Sequence, residues 1–227
     1  MRSKKIEELK KVIKLSERQR SIIVGTLLGD GHLEAVNKGQ TYRLKITHSV
    51  RQKEYIEWLY NELKNLVRTP PQRKLKKGIN KTYEEYWFNT YSLGSLRFYG
   101  QQFYVGGEKI IPEIIGKLLD QLAIAVWFMD VGSYKSNRHK TYVIHTLSFK
   151  KKDLQLLSEV LERKYRIKTK LHKQYYKSSI KWRLYILSES ADKFKDLIKP
   201  YILPSLKYKL GLKPVGLARL GNTMPKE

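Results

Sequence analysis

Two stretches, IIVGTLLGDG at residues 22–31 and LAIAVWFMDVG at residues 122–132, decide how this chain is read. Each is a run of apolar and small residues that breaks off at an aspartate beside a glycine. The closing glycines, Gly31 and Gly132, lie 101 residues apart in a chain of 227, so each half owns one copy. Both runs read as helices. An acid at the C-terminal end of a helix is badly placed, because the macrodipole already concentrates partial negative charge there. Two such acids, one per half, point to a paired cation site.

Outward from each motif the same order of patterns recurs. YRLKITHSV at 42–50 alternates like a half-buried strand, and a helical stretch follows with Tyr55, Leu59 and Leu63 in phase. YVIHTLSF at 142–149 alternates again, before a helix carrying Leu154, Leu157 and Val160. Ser49 and Ser148 mark the same strand-to-helix joint. A basic hairpin comes next in each half, turning at Gly78 and Asn80 in the first and near Ser178 and Ser179 in the second. Each half closes on a helical segment with a lysine near a proline, Lys109 and Lys209. Four landmarks at offsets of 99 to 101 predict an α+β chain of duplicated αββαββα units, residues 1–112 and 113–227, forming a pseudo-twofold monomer.

The motif helices are expected at 16–31 and 117–132. Ser16 with Gln19 three residues on reads as a capping box for the first. Ser21, Gly25 and Gly29 fall on one face of it, where small side chains let another backbone come close. The natural partner is the second motif helix, with Ala123 and Ala125. Packed side by side, the two helices would bring their terminal acids together.

Composition narrows the partner. The net charge is +25, from 46 Lys and Arg against 21 Asp and Glu, while 41% apolar residues suffice for a folded core. A folded chain this basic repels itself unless a polyanion neutralises it, which puts DNA or RNA first. No apolar run approaches the roughly 20 residues of a bilayer span. The charged start MRSKKIEELKK does not read as a signal peptide. Absence of cysteine excludes disulfides and thiolate metal sites, and the whole fits an intracellular protein.

With these motifs the sequence resembles the LAGLIDADG homing endonucleases of the single-chain, two-repeat, intron-encoded kind, in the branch whose second motif usually reads WFMDDG. The resemblance runs from about Ser16 to Lys209. It implies two saddle-shaped antiparallel sheets lying in the DNA major groove and motif helices forming the interface between halves. It further implies acids holding Mg²⁺, with Mn²⁺ able to substitute, and cleavage of each strand of a long asymmetric duplex site to leave staggered ends. No obligate protein partner is implied, and the setting is genomic or organellar DNA. Asp30 takes the place of the metal-binding acid, beside Gly29.

In the second motif, aligning Gly132 with Gly31 sets Val131 opposite Asp30 and leaves Asp130 one residue early, about 100° round a helix. Three readings follow: a different turn brings Asp130 to the metal, the second site is weak and the enzyme nicks, or the copy is inactive. Lys109 and Lys209 match the basic residue near the scissile phosphate. His48 matches a polar residue that assists water, with Leu147 as its counterpart.

On the strands, Leu44 and Ile46 would face the core, turning Arg43, Lys45 and Thr47 outward. Arg73, Lys168, Lys170, His172, Gln174, Lys181 and Arg183 of the hairpins are similarly available to base edges or phosphates. The basic end segments, Arg2–Lys11 and Lys207–Arg219, read as backbone clamps. The rival reading is a non-cleaving protein of the same fold, such as an RNA maturase; a basic RNA-binding protein without catalysis comes third.

Overall fold

The computed structural model describes residues 4–78, 82–176 and 179–212. The turn residues Asn80 and Ser178, Arg2, and the C-terminal segment from residue 213 lie outside the described residues.

A basic helix, α1 (Lys4–Val12), precedes two copies of one pattern. The first comprises α2 (Glu17–Leu28), β1 (His32–Val36), β2 (Thr41–Ser49), α3 (Lys53–Glu62), β3 (Gln72–Lys77), β4 (Thr82–Asn89) and α4 (Arg97–Phe103). A small hairpin, β5 (Tyr104–Val105) and β6 (Glu108–Lys109), and a short α5 (Ile115–Leu118) connect it to the second. That copy runs α6 (Gln121–Val131), β7 (Gly132–Tyr134), β8 (Tyr142–Ile144), α7 (Lys151–Tyr165), β9 (Thr169–Tyr176), β10 (Ser179–Ile186) and α8 (Ser188–Ile198). The two antiparallel sheets have equivalent strand orders, β1-β2-β4-β3 and β7-β8-β10-β9. The αββαββα duplication read from the sequence is therefore the observed architecture. No helix among the described residues is long and apolar enough to cross a membrane.

The motif helices show no amphipathic stripe because almost every side chain on them is buried: Ser21 through Leu28 on α2 and Leu122 through Asp130 on α6. A helix apolar all round belongs in an interior, and here that interior is the seam between the halves. Close approach depends on Gly25, where an added Cβ would stand 2.6 Å from both the Ala123 carbonyl oxygen and Val126 Cβ. The small-residue face is thus used as the spacing predicted, against Ala123 and Val126 at this point rather than Ala125.

Ser16 and Gln19 form the expected capping box. The second helix starts later than 117, because Asp120 accepts the Ala123 N–H at 2.7 Å and caps it; an N-cap aspartate ends what precedes it. The same carboxylate accepts the Ser21 hydroxyl proton across the seam.

Two further expectations are corrected. The alternation over 142–149 yields a strand only to Ile144, and the chain turns at Leu147. Lys109 sits on a strand, not a helical segment, because Gly106 and Gly107, with φ of 58° and 83°, make the two-residue turn of the β5–β6 hairpin. Lys209 does lie in a helical segment, the 3₁₀ turns of Pro204–Leu210.

Candidate active site

The two motif helices end together. Asp30 follows α2 in the Gly29-Asp30 turn, whereas Asp130 is still inside the last turn of α6. One Asp130 carboxylate oxygen accepts the Asp30 backbone N–H at 3.0 Å; the other accepts the Tyr55 hydroxyl at 2.6 Å. His48 stands between the acids, with Nε2 3.4 Å from Asp130 Oδ1 and Nδ1 4.0 Å from Asp30 Oδ2. A Cβ at Gly29 would collide with the Asp130 carboxylate. The first motif therefore has room for Asp130 only because position 29 is glycine.

This geometry corrects the alignment on the closing glycines. The lysines give the working offset, which is 100: Lys109 Nζ donates to the carbonyls of Gly29 and Gly31 at 2.9 and 2.7 Å, and Lys209 Nζ to those of Met129 and Asp130. Asp130, not Val131, is the counterpart of Asp30. Val131 packs against the core, its carbonyl accepting the His145 N–H at 3.0 Å, and Gly29 has given its carbonyl to Lys109. Each of these carbonyls has one partner and keeps a second lone pair. The ammonium groups also answer the dipole problem posed by the sequence, since each neutralises carbonyls at the end of a motif helix.

The acids differ sharply in access. The Asp30 side chain is 55% exposed and that of Asp130 is 1% exposed. Desolvation at the crowded helix ends, and then the like charge of Asp130, raise the Asp30 pKa. Burial works against a charged His48, but Asp130 and Asp30 outweigh it and hold the imidazole above its ordinary value. With a side chain 3% exposed, His48 reaches the acids from beneath and is placed to orient them. Burial lowers Lys209 and brings Lys109 down to about 8.

Tyr55, read from the sequence as one of the apolar positions of a helix, is fully buried and its phenol is raised well above the usual value by desolvation and by Asp130. A tyrosine at core spacing gives no sign that its hydroxyl holds an acid.

A cation fits here. Asp30 offers an exposed carboxylate next to Asp130, whose two oxygens also accept from the Asp30 N–H and the Tyr55 hydroxyl, and among the described residues no group of three or more His, Asp or Glu side chains could hold a metal alone. Remaining positions would fall to water and phosphate oxygens, as magnesium prefers.

The sheets supply a basic face. On β2, Leu44, Ile46 and His48 are buried, which turns Arg43, Lys45 and Thr47 to the other side. Strand register extends that face to Glu34, Asn89, Trp87, Gln72, Lys74 and Lys76. Arg73 does not share it: it lies opposite buried Tyr86, and its Nη1 is 3.2 Å from Glu84. In the second sheet Lys170, His172 and Gln174 lie opposite Tyr185, Arg183 and Lys181 on one face. Lys168 precedes β9, and its ammonium is 3.3 Å from Glu189.

The profile of the LAGLIDADG DNA endonuclease family matches residues 20–194. The cytochrome b mRNA maturase bI2 of Saccharomyces cerevisiae is 32% identical over 203 residues, covering 84% of this chain, which spans only 47% of that protein. DNA endonuclease I-ChuI of Chlamydomonas applanata is 29% identical over 208 residues, covering 86% of this chain and 95% of its own. Among solved structures, the homing endonuclease I-WcaI bound to its DNA recognition sequence superimposes with a TM-score of 0.83 at 26% identity, over 92% of this chain and 93% of that one. Sequence profile, duplicated topology and paired acids agree: the chain belongs to the LAGLIDADG DNA endonuclease family.

Proposed function

We propose that this chain is a monomeric, intron-encoded homing endonuclease that lays a long asymmetric DNA duplex across both sheets and hydrolyses its phosphodiesters with Mg²⁺, or Mn²⁺ in its place, leaving staggered ends. Each repeat, residues 1–112 and 113–227, contributes one sheet. Such an enzyme works inside the cell on genomic or organellar DNA. The observation that carries this reading is the meeting of Asp30 and Asp130 at the point from which β1 and β7 both start. A divalent cation held by these acids supplies an acidified water and offsets charge on the departing oxygen. The chain's own part is positional. Tyr55 and His48 fix Asp130, Asp30 stays open to the substrate, and each ammonium, with two of three N–H donors given to carbonyls, keeps one for a phosphate oxygen.

The test uses duplex enriched from a randomised library by the unmodified protein. With each strand labelled, Mg²⁺ or Mn²⁺ should give cleavage that EDTA abolishes. Binding without nicking or cutting under either metal would overturn the enzymatic reading. A second reading, an RNA maturase of the same fold, is favoured by the yeast relative's name and by an Asp130 carboxylate whose contacts are all internal. Tight binding of structured intron RNA without duplex cleavage would select it.

A further inference from the structure

The DNA-facing side of the first sheet is not uniformly basic. It carries two carboxylates, Glu34 on β1 and Glu85 on β4, whereas the register places none on the corresponding face of the second sheet among the described residues. The two are held differently. Lys74 and Lys76 reach Glu85 at 3.1 and 3.3 Å, and its side chain is only 16% exposed. Glu34 lies directly opposite Arg43, with its nearest cations at 3.9 Å (Arg43) and 3.6 Å (Lys45), and its side chain is 43% exposed. Those separations attract but do not satisfy the oxygen lone pairs. Glu34 thus presents free acceptors amid cations, in a sheet built to meet a polyanion.

A carboxylate there cannot contact phosphate favourably. It can only accept, and in the major groove the hydrogen-bond donors are the exocyclic amino groups of cytosine and adenine. Arg43 and Lys45 alongside can donate to guanine O6 and N7. From this we infer that Glu34 is a specificity-determining residue, which selects cytosine or adenine on the strand it faces at one position of the half-site under the first sheet. Glu85, closed off by its two lysines, has no such role. The inference rests on duplex DNA being the substrate.

Selections from a randomised duplex library in EDTA, run with the unmodified protein, Glu34→Gln and Glu85→Gln, test it. The unmodified protein should enrich a consensus with at least one position under the first sheet fixed to a single base pair in a single orientation. Glu34→Gln, which can donate as well as accept, should lose fixation at that position alone, and its preference for the consensus over random duplex should fall about tenfold. Glu85→Gln should keep the whole consensus. An unchanged consensus with Glu34→Gln would overturn the role, as would tighter binding of every duplex by one common factor, since Glu34 would then only repel phosphate. If no protein enriches any consensus, duplex recognition itself fails, and this inference with it.

Discussion

β2 and β8 occupy the same place in their sheets, but β2 has nine residues and β8 three. The additional length of β2 carries His48 beneath the paired acids, whereas the second half leaves its sheet at Ile144. Asp130 belongs to the second repeat, yet the side chains and backbone N–H that hold its carboxylate, from Asp30, Tyr55 and His48, come from the first. Duplicated topology has converged on one compound cluster supported from one side. A repeat in sequence is therefore a guide to where backbone goes, not to how the chemistry is divided.

The strongest way to break this picture is Asp30→Asn. On the proposed role of Asp30 in holding the metal, it should lower cleavage of both strands about a thousandfold while duplex binding persists, because the sheets are untouched; loss on one strand alone would mean that the halves act separately. Next comes the seam. Gly25→Val should destabilise by about 3 kcal/mol in urea unfolding, since a Cβ there meets Ala123 backbone that cannot move aside.

Tyr55→Phe leaves one Asp130 oxygen without its short donor and should cost about 1–2 kcal/mol. It should also weaken Ca²⁺ binding measured by calorimetry. Strand-resolved cleavage sharpens the comparison, because a shared cluster slows both strands together. Lys109 tests the same cluster through pH. Its native pKa is pushed down to about 8 by burial, so below that pH both native and unfolded forms are charged and the full desolvation cost is present. As pH rises past 8 towards the ordinary lysine value, the native state sheds a proton that the unfolded chain keeps, so stability should increase; Lys109→Met should flatten that rise.

The smallest effect separates the sheets. Lys181→Ala should reduce the slope of log affinity against log salt by about one phosphate contact. Lys74→Ala should reduce it less, because Lys74 is already paired with Glu85 at 3.1 Å.

Much of this was legible beforehand. The order of alternation and helical spacing is written locally, so the αββαββα unit could be read twice, and the Ser21-Gly25-Gly29 face announced the seam. The centre of the site was less legible because letters align on glycines and space does not. α2 stops at Leu28 and passes through a turn to Asp30, while α6 stays helical to Val131, so the acids that meet differ by 100 residues and the matching glycines by 101. Tyr55 was hidden for another reason: its ring is core, and only its last atom is not. Arg73 lies off the outward face by register and Lys168 is paired with Glu189, neither of which composition records.

The helix seam has a mechanical consequence. It is fastened at one end by Ser21 with Asp120, at the other by Asp30 with Asp130, and closely packed between them at Gly25. Two rods joined at three points resist sliding and splaying, and each leads into the first strand of its sheet. The gap between the sheets is therefore set inside the protein, by Ser21, Gly25 and Asp120 at the seam as much as by the acids at its end.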